Sequence, residues 1–530
     1  MGETQKTKLR ADAIIVMSSI IVSRITGFFR EMLIPNFFGL QEVADAYSLS
    51  FKITGLMYDL LVGGAIAAAL IPILTGYIEN KQEKEGWRVV GTFINIVFIT
   101  MVFTCIIGIV LAPHIVPLIV DFDAKTTALT IRLIRILFPS VAFLMLAGLS
   151  NGVLNSYKRF AAAAYGPTIY NVGSIISIIL FSKYSIETVA FGVMCSSILY
   201  FLFQLSFALK NLKYYSFRFF LKHPGFIKLI RLAIPSLISS SIVQVNVIIS
   251  SSFASLFTAG SVAALNIADR IWQLPYGVFA QGMGIAMLPT LSGRYAVGDI
   301  DEYRRILTKS LKTVLLFTIP SAFGFIVLKG PIITTILKFT NMIGENDIEI
   351  TSNILMFFSL ALITHSIVAI MNRAFYSVND TKTPLLIGSC TIIVNTALSY
   401  IFYVFFRDSL STGGMALAYS LSSLLNAVLL LSLLTRKIKA INIGEFIVFL
   451  LKTLFSALIM AALLYFINNL FKAASANKVY QILSLMLEVA AGVFIYFTLV
   501  IIFKVEEACY IFQGFLSKIK NLCKKFQINH

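Results

Sequence analysis

The chain has 530 residues, of which 58% are hydrophobic and only 13% charged, and it carries a formal net charge of +18. A soluble protein of this size would hold about 25% charged residues, so a water-soluble fold is excluded. Apolar runs of the ~20 residues needed to cross a ~30 Å hydrocarbon core recur from end to end. None alternates apolar and polar residues as membrane-barrel strands do, which leaves an all-α polytopic membrane protein.

Taken in chain order, hydropathy predicts about fourteen transmembrane helices. Their approximate bounds are 11–38, 44–78, 88–112, 128–154, 160–182, 186–209, 227–257, 261–291, 305–329, 348–377, 384–406, 412–434, 443–468 and 480–503. The opening stretch MGETQKTKLRADAIIVMSS lacks a small-residue cleavage site and reads as a retained first helix. The basic, aromatic segment KNLKYYSFRFFLKHPGFIK separates six helices from the next six. The expected organisation is a six-helix lobe (1–209), an interfacial linker (210–226), a second six-helix lobe (227–435), two extra helices (436–505) and a basic tail (506–530).

Charge asymmetry orients the bundle. With both termini in the cytoplasm, inner loops and termini hold about 28 of the 43 Lys and Arg, against about 7 outside. The positive charge is therefore a topology signal. No soluble segment is long enough to make it a nucleic-acid signal, and contact with anionic inner-leaflet lipids is expected instead. The expected location is the bacterial cytoplasmic (inner) membrane, multi-pass. Nothing in the sequence calls for more than a monomer.

The two halves repeat weakly. FKITGLMYDLLVGGAIAAALIPIL in the first resembles DRIWQLPYGVFAQGMGIAMLPTL in the second, with Pro72 aligned to Pro289 and Lys52 within one residue of Arg270. Repeats of equal orientation suggest two lobes about an axis along the membrane normal, with substrate between them near the midplane.

Ionised groups near the bilayer centre cost at least ~2.5–3.5 kcal/mol each and by default mark function. Arg24 and Glu31, seven apart, share a stripe of the first helix, since two turns take about 7.2 residues. Arg30 sits a third of a turn away and would reach the same cavity if Gly27 loosened the helix. Asp45, Lys52 and Asp59 share a stripe of the second helix. On the eighth, Asn266, Arg270, Gln273, Gly277, Gln281 and Gly284 form one polar, small face, with Asp269 beside it. Structural ion pairs, Arg24 with Glu31 or Lys52 with Asp45, would explain some of these. A water-filled cavity explains more, because cations occur at matched positions of both halves. The planar arginine fork suits phosphate, so Arg24, Arg30, Lys52 and Arg270 would bind a phosphate- or pyrophosphate-bearing anion. Asp59, Asp269, Gln273 and Gln281 are secondary cavity candidates.

Other polar groups carry less. Arg132 and Arg135 read as helix-end anchors, and Arg373 lies close to the inner face. His365 alone among four histidines falls inside a span, where a hydrogen-bonded structural role is expected. The five scattered cysteines show no metal-ligand spacing and read as packing residues. No Walker motif, nucleophile elbow or HExxH occurs, so the expectation is a transporter, not an enzyme, with no cofactor and no metal.

SRITGFFRE, GLQEVADAYSLSFK, NIADRIWQLPYGVFAQGMGIAMLPTLS and NRAFYSVNDTKTP, in this order across the chain, resemble the MurJ (MviN-like) lipid II flippases of the multidrug/oligosaccharidyl-lipid/polysaccharide exporter superfamily. The resemblance implies an alternating-access bundle moving undecaprenyl-pyrophosphate-linked peptidoglycan precursor, a lipid-linked anion, to the outer leaflet. It implies that Arg24, Arg30, Glu31, Asp45, Lys52 and Arg270 belong to a charged central cavity, and that helices thirteen and fourteen form a groove for the isoprenoid tail. It also raises coupling to membrane potential, Na+ or H+. Where the family carries an arginine around LMYDLL and a glutamate-containing run after it, this chain has Tyr58, Asp59 and VGGAIAAALIP. The alternatives are a flippase for another lipid-linked oligosaccharide, a drug/cation antiporter of the same superfamily, and a membrane scaffold for wall synthesis. A net-cationic cavity argues against the antiporter. Dispensable cavity charges would favour the scaffold.

Overall fold

The structure is a computed structural model that describes residues 3–58, 66–338, 342–438, 443–472, 478–510 and 513. The regular structure of these residues is helical. In chain order α1 is Glu3–Phe38, α2 Glu42–Tyr58, α3 Ile71–Glu79, α4 Glu83–Ile119, α5 Ala124–Ser156, α6 Phe160–Phe181, α7 Ile186–Ala208, α8 Pro224–Ala254 and α9 Ser261–Pro275. Then follow α10 Gly282–Ala296, α11 Ile300–Leu337, α12 Glu345–Ser377, α13 Lys382–Phe405, α14 Arg407–Leu410, α15 Gly413–Ile438, α16 Ile443–Lys472 and α17 Lys478–Ile502. Every expected span meets helix. Among the described residues, ten helices are long and apolar enough to cross a membrane.

Two expected spans are interrupted. The second contains a π-helical turn, Ile66–Leu70, that passes into α3, and the eighth contains another, Tyr276–Gln281, between α9 and α10. Proline explains both. It withholds the N–H owed to the carbonyl four residues earlier, and its ring crowds that carbonyl. Pro72 does so to Ala68 within the first turn, and Pro275 does so to Ile271 just before the second. The wider π turn takes up the misfit. The two related segments thus share a local defect as well as a sequence pattern.

Contacts divide the chain into two units, Met1–Ala263 and Ala264–His530. The sequence placed the divide at the linker 210–226. Instead α8 packs with the first unit, because Phe226, Leu229 and Ala233 are buried in one cluster with Trp87, Val90 and Phe93 of α4 and Met145 and Leu149 of α5. The linker itself is tied down. Asn95 of α4 donates to the carbonyls of Ser216 (3.3 Å) and Arg218 (3.0 Å), and Thr92 accepts from the Phe220 N–H at 3.0 Å. Small residues let helices approach closely. Gly192 of α7 lies so near Ser177 of α6 that an added Cβ would stand 1.8 Å from its Oγ.

In the second unit, Leu311 and Leu315 of α11, Met371 and Phe375 of α12, Leu430 of α15, Phe449 and Met460 of α16, and Tyr496 and Val500 of α17 share one core. The last two helices are thus packed into this unit. So is the start of the expected tail: Ala508 joins the same core as Val505 before it, and Glu507 lies 3.5 Å from Lys312 of α11. The four described cysteines, Cys105, Cys195, Cys390 and Cys509, are free thiols.

Candidate functional site

Arg30 is the best-held charge among the expected ligands. Its Nη2 donates to Glu31 Oε1 at 2.7 Å and its Nη1 to Asn171 Oδ1 of α6 at 3.1 Å. The guanidinium also lies over the rings of Phe51 of α2 (5.2 Å) and Tyr170 of α6 (5.3 Å). Only 12% of the Arg30 side chain is exposed. Two aromatic faces and two hydrogen bonds therefore fix the fork while its charge is balanced by a neighbour. An arginine has five N–H donors. Two are engaged here.

Glu31 pairs with the adjacent Arg30. Gly27 does not loosen α1. It makes room for Asn171, whose Nδ2 would lie 3.2 Å from a Cβ placed there and which donates to the Ser23 carbonyl at 3.0 Å. Asn171 thus braces α1 at two places. Arg24 lies on an exposed face of α1.

Lys52 and Asp45 make different hydrogen bonds. The Lys52 Nζ donates to Ser251 Oγ of α8 at 2.7 Å. Asp45 is only 2% exposed and its two oxygens accept from the backbone N–H groups of Gly260 and Ala263, each at 2.7 Å. It caps the first turn of α9 from another helix, satisfying donors that a helix start leaves open. Those two bonds give Asp45 a structural role at the start of α9. Tyr58, which stands near the family's arginine, turns its hydroxyl toward Gly148 of α5. Asp59 lies outside the described residues.

In the second unit, Arg270 is exposed on α9. Asp269 accepts from Trp272 Nε1 (3.0 Å) and Gln273 Nε2 (2.7 Å), so it holds its own helix's side chains. The continuous polar stripe expected from Asn266 to Gly284 is broken by the π turn, which changes the angular step before Gln281 and Gly284. Among the described residues His365 is held by rings: it stacks on Tyr419 at 4.9 Å and lies 5.5 Å from Trp272. Arg132 reaches Glu187 at 3.4 Å, a helix-end contact. On α16 and α17 large apolar side chains such as Phe455, Phe466, Leu483 and Phe494 are exposed.

The sequence reading missed Asn171, Tyr170 and Phe51. A Tyr–Asn pair inside an otherwise apolar span was the signal available for the first two.

Long apolar helices, two units with matching π-turn breaks, and an arginine of α1 braced by α6 define a polytopic helical membrane transporter. The family model for the lipid II flippase MurJ matches residues 34–486. The chain belongs to the MurJ family of lipid II flippases. It is 30% identical over 467 residues, 87% of this chain and 90% of the relative, to a probable lipid II flippase MurJ of Buchnera aphidicola subsp. Baizongia pistaciae. It is 27% identical to the lipid II flippase MurJ of Burkholderia cenocepacia, covering 84% of this chain and 87% of that one. A solved lipid II flippase MurJ in an inward closed conformation superposes with a TM-score of 0.76 at 25% identity, over 93% of this chain and 99% of that one. An inward-facing multidrug resistance MATE family transporter of the MOP superfamily, at 15% identity and TM-score 0.67 over 81% of this chain and 98% of that one, shares the fold.

Proposed function

We propose that this protein moves lipid II, the undecaprenyl-pyrophosphate-linked peptidoglycan precursor, from the inner to the outer leaflet of the bacterial cytoplasmic membrane by alternating access. Both termini then lie in the cytoplasm, and the isoprenoid tail rides along the apolar faces of α16 and α17. Directional cycling would draw on membrane potential, Na+ or H+.

The observation that carries this reading is the setting of Arg30. An ion pair that only locked helices together would join two of them, whereas Arg30 pairs with the residue next to it on α1. Its remaining donors, three of five, are available to phosphate oxygens in a geometry prepared by Phe51, Tyr170 and Asn171. Of the candidate residues in the first unit, Arg24, Arg30 and Lys52 against Glu31 and Asp45 leave one positive charge in excess, which favours an anionic headgroup. Arg270 is the cation the second unit contributes. Asp45 has no part in binding, and Asp59, Asp269, Gln273 and Gln281 remain secondary.

The test is complementation of a flippase-depleted bacterium with Arg30→Ala, Arg30→Lys and Arg270→Ala. Export is read as the fraction of labelled precursor cleaved by an externally added, membrane-impermeant enzyme. Arg30→Ala and Arg270→Ala should abolish export at normal membrane levels, and Arg30→Lys should restore little, since an ammonium lacks the planar fork. Full export by both alanine variants would dismiss the reading.

A further inference from the structure

A polar cavity lies wholly within the second unit, and the charge on its wall has no place in the mechanism above. Its volume is about 390 Å³, and Tyr276, Gln281, Gly284, Asn372, Arg373 and Tyr376 line it. Residues 372, 373 and 376 are spaced to share one face of α12. Opposite them stand the ends of the π turn, a break of the kind that often marks functional sites.

Two features of the wall ask for a ligand. Among the described residues no carboxylate pairs with Arg373. Asn372 has a buried Oδ1 with no hydrogen-bond partner. Native proteins seldom leave such an acceptor unpaired, and each case calls for an explanation. Gly284 supplies the third element. A Cβ there would stand 3.3 Å from Arg373 Cγ, so the glycine leaves the arginine its room beside the cavity.

A guanidinium beside an amide acceptor complements an oxyanion that has an N–H or O–H donor next to it. A peptide carboxylate with its amide N–H has this chemistry, and so does a phosphate beside a sugar hydroxyl. We propose that Arg373 and Asn372 form an oxyanion subsite for the headgroup of the lipid-linked substrate, separate from the Arg30 cluster. This rests on the reading of the protein as a lipid II flippase. The cavity's size suits one moiety of the headgroup and not the whole.

The test measures binding of lipid II and of undecaprenyl diphosphate, which lacks sugars and peptide, to the full-length protein in detergent by native mass spectrometry. Arg373→Gln removes the charge, and Gly284→Val fills the space beside it without touching the charge. Both should weaken lipid II on the order of tenfold, the effect of one lost charge-assisted hydrogen bond, with thermal stability retained. Weakening confined to lipid II assigns the subsite to a peptide carboxylate. Equal weakening of both lipids assigns it to the diphosphate. Unchanged affinity for both lipids in either folded variant overturns the proposal. A wild-type protein that binds neither lipid would instead sink the flippase reading itself, and the subsite with it.

Discussion

The carboxylate of Asp45 accepts a 2.7 Å hydrogen bond from the backbone N–H of Ala263, a residue 218 positions away. Its other oxygen takes the Gly260 N–H, so one side chain of α2 closes the start of α9. Removing it strands two buried donors. Asp45→Ala should therefore destabilise the protein by about 3 kcal/mol, and Asp45→Asn, which keeps one acceptor, by less. Thermal unfolding of the purified variants decides the matter. An Asp45→Ala protein as stable as wild type but weak in substrate binding would return this residue to the ligand set.

Asn171 positions Arg30 without carrying charge. Asn171→Leu deletes the 3.1 Å bond to the guanidinium and the 3.0 Å bond to the Ser23 carbonyl while leaving the Glu31 pair intact. Lipid II affinity should fall by a factor of about 10, for one hydrogen bond to a charged group, with normal insertion. If Asn171→Leu binds as wild type does, Arg30 needs no brace and its preorganisation has been misread.

Glycines divide sharply by surroundings. At Gly192 a new Cβ would stand 1.8 Å from Ser177 Oγ and 2.8 Å from its Cβ, whereas at Gly388 of α13 nothing lies within 4 Å. Gly192→Ala should cost about 1–3 kcal/mol through forced separation of α6 and α7. Gly388→Ala should be neutral or gain up to ~1 kcal/mol from helix propensity. Paired melting curves in the same detergent give the comparison.

Asp380, in the short connection between α12 and α13, gives a pH signature. Burial of its carboxyl opposes ionisation, but the Lys437 ammonium at 2.8 Å and the Thr383 N–H and hydroxyl outweigh burial and hold it below the ordinary carboxylate range. A carboxyl lowered in the folded state adds stability that is present above its unfolded value of ~3.9 and lost as pH falls through the lowered one. Asp380→Asn should therefore flatten the decline of Tm below about pH 4 and leave its shape above about pH 6 unchanged. An acid limb identical in both proteins would place the sensitivity elsewhere.

The helices were legible because a span needs only a run of apolar residues, and chain order reports that directly. The π turns were half legible. Pro72 and Pro289 pointed to matched segments, but the second break follows Pro275, whose effect depends on its place in a helix and not on the alignment. Among the charges, helical spacing identified which residues needed partners but not the partners that other helices bring. Spacing along one helix was the only geometry at hand, whereas the setting of Arg30 depends on Phe51 and Asn171. Asp45 shows the same limit at longer range. A carboxylate that closes a distant helix looks, in sequence, like one waiting for a ligand.

The fastening of the linker to α4 has a consequence for how its cations meet a charged surface. Lys213, Arg218 and Lys222 are exposed, as are Phe217, Phe219 and Leu221 among them, yet the strand of coil that bears them is moored by Asn95 and Thr92. Ordering a backbone residue costs about 1–2 kcal/mol. Here that entropy is surrendered when the protein folds. Were this segment to meet an anionic bilayer face, it would do so as an already ordered surface that carries both apolar and cationic side chains.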